Sequence, residues 1–330
     1  MSTSLKNKKV LVTGSSGFIG INLILELLKE EAIVTALDLP FTNWEKLPAE
    51  VKQVKADILN KKDLNNIFEN IEIIYHLAAK TDLNGKNKND YKVNYVGTLN
   101  VLEEAAKSKT LERFIFYSTQ LVVGLFDEKR FIDETEPYKT KTFYGESKIE
   151  GEKIVKEFCK KLNIPFTIIR PTSVYGPWGE TPYKEFFSAI KKKRYFHIGK
   201  ADNLVSWVYV KNLVNLTLLS SVDEKAINEI FFGNDLHPYS MRDIVNEVAI
   251  YYKIKIRTIP NMFITPIAYF FGFFKLLGFK VPIYPFRLKN MKMTYCYNIQ
   301  KSLLLGYKPA YDLKSGIKET LDWYEERKMI

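Results

Sequence analysis

At 330 residues with 46% hydrophobic content, the chain can bury a large core as one body or two fused domains, which excludes a disordered segment. Its formal charge of +11 is spread by lysines that alternate with Glu and Asp, which reads as a solvated surface and argues against a nucleic-acid partner. Two cysteines, Cys159 and Cys296, and three histidines, His76, His197 and His237, lack the spacing of a disulfide framework, a CxxC centre or a zinc site.

Such sparse cysteine use fits a reducing cytoplasm. Lys6 to Lys9 ahead of an apolar run mimics an export signal, but Gly14, Gly17 and Gly20 interrupt that run and Glu26 soon follows, which argues against export. The apolar run itself reads as a strand, Lys9 to Thr13, followed by a helix from Phe18 to Lys29 whose apolar residues recur at three and four. Further strands are expected at Ile33 to Leu37, Val51 to Ala56, Ile71 to His76, Phe114 to Tyr117 and Phe166 to Ile169. Their near-continuous apolar character suits a parallel sheet covered on both faces. Helices are expected between them at Leu64 to Glu69, Tyr91 to Lys107 and Tyr144 to Leu162. The alternation forecasts an α/β, Rossmann-like doubly wound parallel sheet.

Beyond Arg170 the pattern loosens. Helices are expected near Tyr183 to Lys192, Leu213 to Ser221, Met241 to Tyr252 and Ile317 to Arg327, with short strands near Ile230 and Ile256. This divides the chain into a dinucleotide-binding domain, residues 1–172, and a smaller α/β substrate-binding cap, residues 173–330, some segments of which return to the sheet. A small-molecule substrate would sit in the cleft between them.

The turn between the first strand and helix reads Gly14-Ser15-Ser16-Gly17-Phe18-Ile19-Gly20. Glycines there let the backbone approach a pyrophosphate, and the helix N-terminus offers unpaired N–H groups. Gly14, Ser16, Gly17, Phe18, Ile19 and Gly20 are the expected cradle. Asp38 ends the second strand about twenty residues on, where a carboxylate accepts from adenosine ribose hydroxyls and repels a 2'-phosphate, favouring NAD over NADP. Asp57 and Ile58 after the third strand, and Leu77, Ala78 and Ala79 after the fourth, are expected along the same crevice.

Tyr144 and Lys148 stand four apart at the start of a helix, so phenol and ammonium share one face. A neighbouring ammonium is expected to lower the phenol's pKa, making Tyr144 a proton donor or acceptor. Thr119, at the end of the fifth strand, would hold the substrate oxygen, with Ser118 as the alternative.

These segments, together with Asn94-Tyr95-Val96-Gly97-Thr98 and Arg170-Pro171-Thr172-Ser173-Val174-Tyr175-Gly176-Pro177, resemble extended short-chain dehydrogenases/reductases over nearly the whole chain. The resemblance implies that Tyr144 is the acid/base, that Lys148 binds the nicotinamide ribose and tunes Tyr144, and that Thr119 holds the substrate oxygen. It places Asn94 in support of the cofactor and adds Pro171, Thr172 and Ser173 to the cofactor site. It also implies a homodimer joined through the helices Tyr91 to Lys107 and Tyr144 to Leu162. Relatives that eliminate water carry an acidic pair after the threonine; Gln120 and Leu121 cannot serve. Nucleotide-sugar relatives carry an Asn where Ser173 stands and a diphosphate-clamping Arg where Val205 stands. Arg194, Lys200 or Arg287 would have to replace that clamp. The run from Ile198 through Asn212 is more similar to 3β-hydroxysteroid dehydrogenase-like members. A dehydrogenase is therefore the leading expectation and a nucleotide-sugar 4-epimerase the alternative, with a non-catalytic NAD-binding sensor behind both.

Met262 to Phe286 is rich in phenylalanine but broken by Pro266, Lys275, Pro282 and Pro285, which excludes a standard membrane span. Phe clusters at helical spacing usually pack internally, so cap core is expected. The alternatives are a greasy lid or a peripheral membrane contact, with Lys275 and Lys280 near headgroups.

Overall fold

The computed structural model describes residues 4–124, 130–279, 281 and 284–330. Its centre is a seven-stranded parallel sheet formed by β1 (Lys9–Thr13), β2 (Ile33–Asp38), β3 (Lys52–Lys55), β4 (Ile73–His76), β5 (Arg113–Tyr117), β6 (Phe166–Pro171) and β7 (Glu229–Gly233). The strands lie in the order β7-β6-β5-β4-β1-β2-β3. Because successive side chains on a strand point to opposite faces, Val10 and Val12 join one core layer and Leu11 the other. Helices α1 (Phe18–Lys29) and α5 (Val210–Val222) cover the first face through Ile24, Leu27, Leu213 and Leu216. Helices α2 (Val96–Ala105) and α3 (Phe143–Leu162) cover the second through Val101, Leu102 and Val155.

The strand expected near Ile230 is β7, paired in parallel with β6 so that Ile230 faces Ile168. Segments beyond residue 173 thus complete the sheet. A third core gathers Tyr175, Phe187, Trp207, Ile244, Val248 and Leu321, built largely from α4 (Tyr183–Lys191), α6 (Met241–Tyr251) and α9 (Leu313–Glu326).

Three expected elements differ. Leu64 to Glu69 is no α-helix: a short 3₁₀ turn at Lys61–Leu64, capped by Asn60, gives way to Asn66 at φ +62°, a left-handed conformation that ends helical hydrogen bonding. The helix expected from Tyr91 is a 3₁₀ segment, Lys88–Asn94, that is kinked at Tyr91 and separated from α2 at Tyr95. The Tyr91 hydroxyl donates to the Asp82 carbonyl at 2.8 Å and accepts from Gly85 N–H at 2.8 Å, anchoring that turn to the loop before it. The third is the phenylalanine-rich segment. Among the described side chains of its helix α7 (Asn261–Leu276), Ile264 and Ala268, one turn apart, are the buried ones, packed against Ile198 and Leu288. Met262 (71% exposed), Phe270 (61%) and Phe273 (60%) face outward. One narrow stripe makes the contact with the body, and the phenylalanines beyond it pack on one another, as Phe274 does on Phe270, Phe273 and Phe279. Lys280 and Pro282 lie outside the described residues, as does the Arg287 side chain.

Ile74, wholly buried in central strand β4, has neighbours on every side that cannot collapse into a void. Ile74→Ala should therefore lower the unfolding free energy by about 2–5 kcal/mol, read as a reduced urea midpoint with unchanged slope.

Candidate active site

The crossover direction reverses at β1, whose neighbours are β2 and β4; such a switch point opens a crevice beyond the carboxyl ends of the strands. The chain leaves β1 through Gly14 at φ +68°, and a Cβ on that residue would lie 2.7 Å from Ala78 N. A Cβ on Gly20 would collide with the Gly14 carbonyl. Loop, helix and the end of β4 therefore approach more closely than any side chain permits. Gly17 is the N-cap of α1 and supplies no capping side chain, and the first turn carries no acid. Its N–H groups and positive dipole end stay available to an anion.

Asp38 closes one side of this turn. Its Oδ2 accepts from Ser16 N–H at 2.9 Å and from the Ser16 hydroxyl at 2.6 Å, and Oδ1 accepts from Leu39 N–H at 2.8 Å. The cradle that Cβ atoms would fill, the uncapped helix and this carboxylate form a donor and acceptor set that fits a dinucleotide.

On the opposite wall, α3 starts at Thr142, whose hydroxyl accepts from Gly145 N–H at 3.0 Å. Tyr144, Lys148 and Glu152 then follow at four-residue spacing, all buried, forming one helical stripe toward the sheet. The Lys148 ammonium sits 4.2 Å from the centre of the Phe116 ring, and the Tyr91 and Tyr144 ring centroids are 6.1 Å apart. Thr119 follows β5 and caps a short turn by accepting from Leu121 N–H at 3.3 Å; its hydroxyl also reaches the Tyr144 phenol. Ser118 is committed elsewhere, donating to Glu152 at 2.5 Å.

The electrostatics depart from the sequence expectation. Burial pushes Tyr144 up to about 12, opposed by the hydrogen bond from Thr119 and reinforced by Tyr91. Burial likewise pushes Lys148 down to about 7, against the pull of Glu152. An amine held near neutrality supplies little positive potential, so Lys148 does not by itself lower the phenol. Behind it His76, buried beside Lys148, is pushed down to about 3. The neutral ring lies between the Thr13 hydroxyl at 2.8 Å and the Thr98 hydroxyl at 2.9 Å.

A cleft of about 750 Å³ joins the two walls. The glycine turn, Asp38, Asp57, Ile58, Leu77, Ala78, Ala79, Thr119, Tyr144, Lys148, Pro171 and Thr172 all line it. Asn94 stands behind the wall: its amide grips the Lys80 backbone on both sides, at 2.8 and 2.9 Å, and donates to Ser147 at 2.9 Å. Ser173 is outside the lining and its hydroxyl faces the Tyr183 and Tyr295 phenols instead. Phe41, Thr42 and Lys80 line the cleft without having been expected there. Phe41 carried a usable signal, a phenylalanine three residues past the strand-ending Asp38, and it is 82% exposed.

Fold and cleft together define a dinucleotide-binding α/β enzyme. Residues 10–231 match the profile of the NAD dependent epimerase/dehydratase family, and the chain belongs to that family; it is an NAD-dependent enzyme. It is 30% identical to a UDP-glucose 4-epimerase of Vibrio cholerae, over 95% of this chain and 94% of that one. It is 28% identical to a 3β-hydroxysteroid-dehydrogenase/decarboxylase of Arabidopsis thaliana, over 84% of this chain and 68% of the relative. In fold it is similar to the UDP-glucose 4-epimerase of Thermotoga maritima solved with UDP-glucose, with TM-score 0.78, 23% identity and coverage of 97% and 99%.

The Lys148 amine gives a stability test with a definite sign. Its folded pKa, about 7, lies below the ordinary lysine value of 10.5, so the unfolded chain binds more protons between those values and stability rises with pH across that window. Lys148→Met should stabilise the protein below pH 7, by about 1–4 kcal/mol, with the gain shrinking as pH approaches 10. Thermal unfolding at both ends of the window checks this.

Proposed function

We propose that the protein is an NAD-dependent dehydrogenase/reductase acting at a secondary alcohol or ketone of an apolar small molecule. One observation carries the reading: Thr119, Tyr144 and Lys148 converge on the cleft whose other end is the glycine turn. A nicotinamide held in this cleft would supply hydride transfer to or from the substrate carbon. Thr119 would hold the substrate oxygen, Tyr144 would take or give its proton, and Lys148 would hold the nicotinamide ribose. Asp38 would hold the adenosine ribose hydroxyls, and the glycine turn and α1 would hold the pyrophosphate.

Two features support an apolar substrate. Val205, at the place of the diphosphate clamp in nucleotide-sugar relatives, is buried, and Ser173 is occupied by tyrosines. Gln120 and Leu121 offer no acid for water elimination. A second reading, a nucleotide-sugar 4-epimerase, rests on the likeness to the Vibrio cholerae enzyme. We place the protein in the cytoplasm, where the buried thiols Cys159 and Cys296 stay reduced. The pairing surface of a homodimer is assigned to α2 and α3, where Val96 and Phe143 remain exposed.

Incubation with NAD and a panel of hydroxysteroids should release NADH in step with ketone formed. Interconversion of UDP-glucose and UDP-galactose without net NADH would establish the second reading instead. In the dehydrogenase, Tyr144→Phe should lower kcat by roughly 10²–10⁴-fold with little change in NAD binding. Because Tyr144 accepts a proton only as phenolate and burial raises its pKa to about 12, alcohol oxidation should speed up as pH rises above neutral, while ketone reduction, which uses the protonated phenol, should hold nearly constant until pH approaches that value.

Asp38 yields a separate measurement. NAD should bind at least about tenfold more tightly than NADP, and Asp38→Ala should narrow that ratio mainly by improving NADP affinity.

A further inference from the structure

The net charge is less evenly spread than a whole-chain view suggests. Between Glu247 and Asp312 the sequence holds no acidic residue at all, yet ten lysines and arginines, so nearly the whole formal charge of +11 arises in this one stretch. Helix α7 lies in its middle. Among the described residues, Lys253, Lys255, Arg257, Lys275, Lys289 and Lys292 take part in no ion pair, although such pairs are frequent over the rest of the surface. Five of them stand within a few residues of the apolar helix or of the short helix packed against it, α8 (Pro285–Asn290).

The outward face of α7 is formed by Met262, Phe263, Ile267, Tyr269, Phe270 and Phe273, all exposed. Contiguous apolar surface of this kind marks an interaction site. At 16 residues the helix is about 24 Å long, shorter than the ~30 Å hydrocarbon core of a bilayer, and Pro266 interrupts it. No helix among the described residues is long and apolar enough to cross a membrane.

We propose that α7 and its acid-free flanks dock the protein onto the surface of a bilayer containing anionic lipid, with the helix in the interfacial plane. Aromatic and aliphatic side chains enter the acyl boundary while the flanking cations meet the headgroups. A second copy is a poorer occupant, because it would bring two strongly cationic faces together. The proposal stands independently of whether the enzyme is a dehydrogenase or an epimerase. With an apolar substrate, docking would let the enzyme draw that substrate from the membrane in which it dissolves.

The test is flotation of the intact protein with vesicles of pure phosphatidylcholine and with vesicles in which roughly one third is phosphatidylglycerol. Binding to the anionic vesicles should exceed binding to the neutral ones by at least about tenfold at low salt and weaken as salt is added. Phe270→Ser combined with Phe273→Ser should reduce that binding by at least about tenfold, while thermal unfolding and NAD binding stay unchanged. Lys289→Glu with Lys292→Glu, on exposed positions, should weaken it as well. Absence of flotation with either vesicle, or full binding by the double serine variant, overturns the proposal. So does a concentration-dependent dimer in solution that the serine variant abolishes, since a second copy would then cover the face. Hydroxysteroid oxidation in vesicle-free solution reports separately on the catalytic reading.

Discussion

The site rests on a carboxylate that touches no substrate. Glu152, fully buried on α3, accepts from Ser118 at 2.5 Å, Tyr138 at 2.9 Å, Arg170 Nε at 2.9 Å and Arg170 Nη2 at 2.8 Å. Burial alone would raise its pKa, but the Arg170 guanidinium and then Ser118 and Tyr138 bring it below the ordinary carboxylate value. These bonds tie α3 to the ends of β5 and β6 together, and Lys148 and Tyr144 stand one and two turns back along the same stripe. The position of the phenol is thus fixed by a pair of charges that the chemistry never uses. Losing either charge would strand the other in the core, at a cost of about 3–5 kcal/mol.

That arrangement has an electrical consequence. With Glu152 satisfied by Arg170, little negative potential remains to hold Lys148 protonated, and burial draws both Lys148 and Tyr144 toward their neutral forms. Both groups line the cleft with their charge states set by burial, where an exposed Tyr and Lys would each keep an ordinary one.

Much of this could be read from the chain. The switch from period two to period 3.6 at Gly17 marked the start of α1, and the charged run Lys29-Glu30-Glu31 marked its end. The glycine spacing, Asp38 and the Tyr144–Lys148 offset are local patterns whose geometry follows from strand and helix alone. What stayed hidden depends on tertiary company. Asn66 in a left-handed conformation and the anchored Tyr91 hydroxyl break helices that composition would continue. Glu152 continues the four-residue spacing of Tyr144 and Lys148, but only the sheet supplies the Arg170 that makes its burial tolerable. The phenylalanines of α7 satisfy a helical period equally well facing inward or outward, and no pattern along the chain says where the body ends.

Strand β7 carries one more implication. The chain leaves the sheet at the end of β6 and rejoins it 58 positions later, at Glu229, directly alongside β6. Everything between, α4 and α5 included, is a loop closed by neighbouring strands, so this excursion is stapled at both ends to a single edge. During synthesis β6 would emerge long before its partner and present an open row of backbone donors and acceptors. The first half of the protein is therefore unfinished until the second has begun, and a fragment ending near residue 172 would keep that adhesive border permanently.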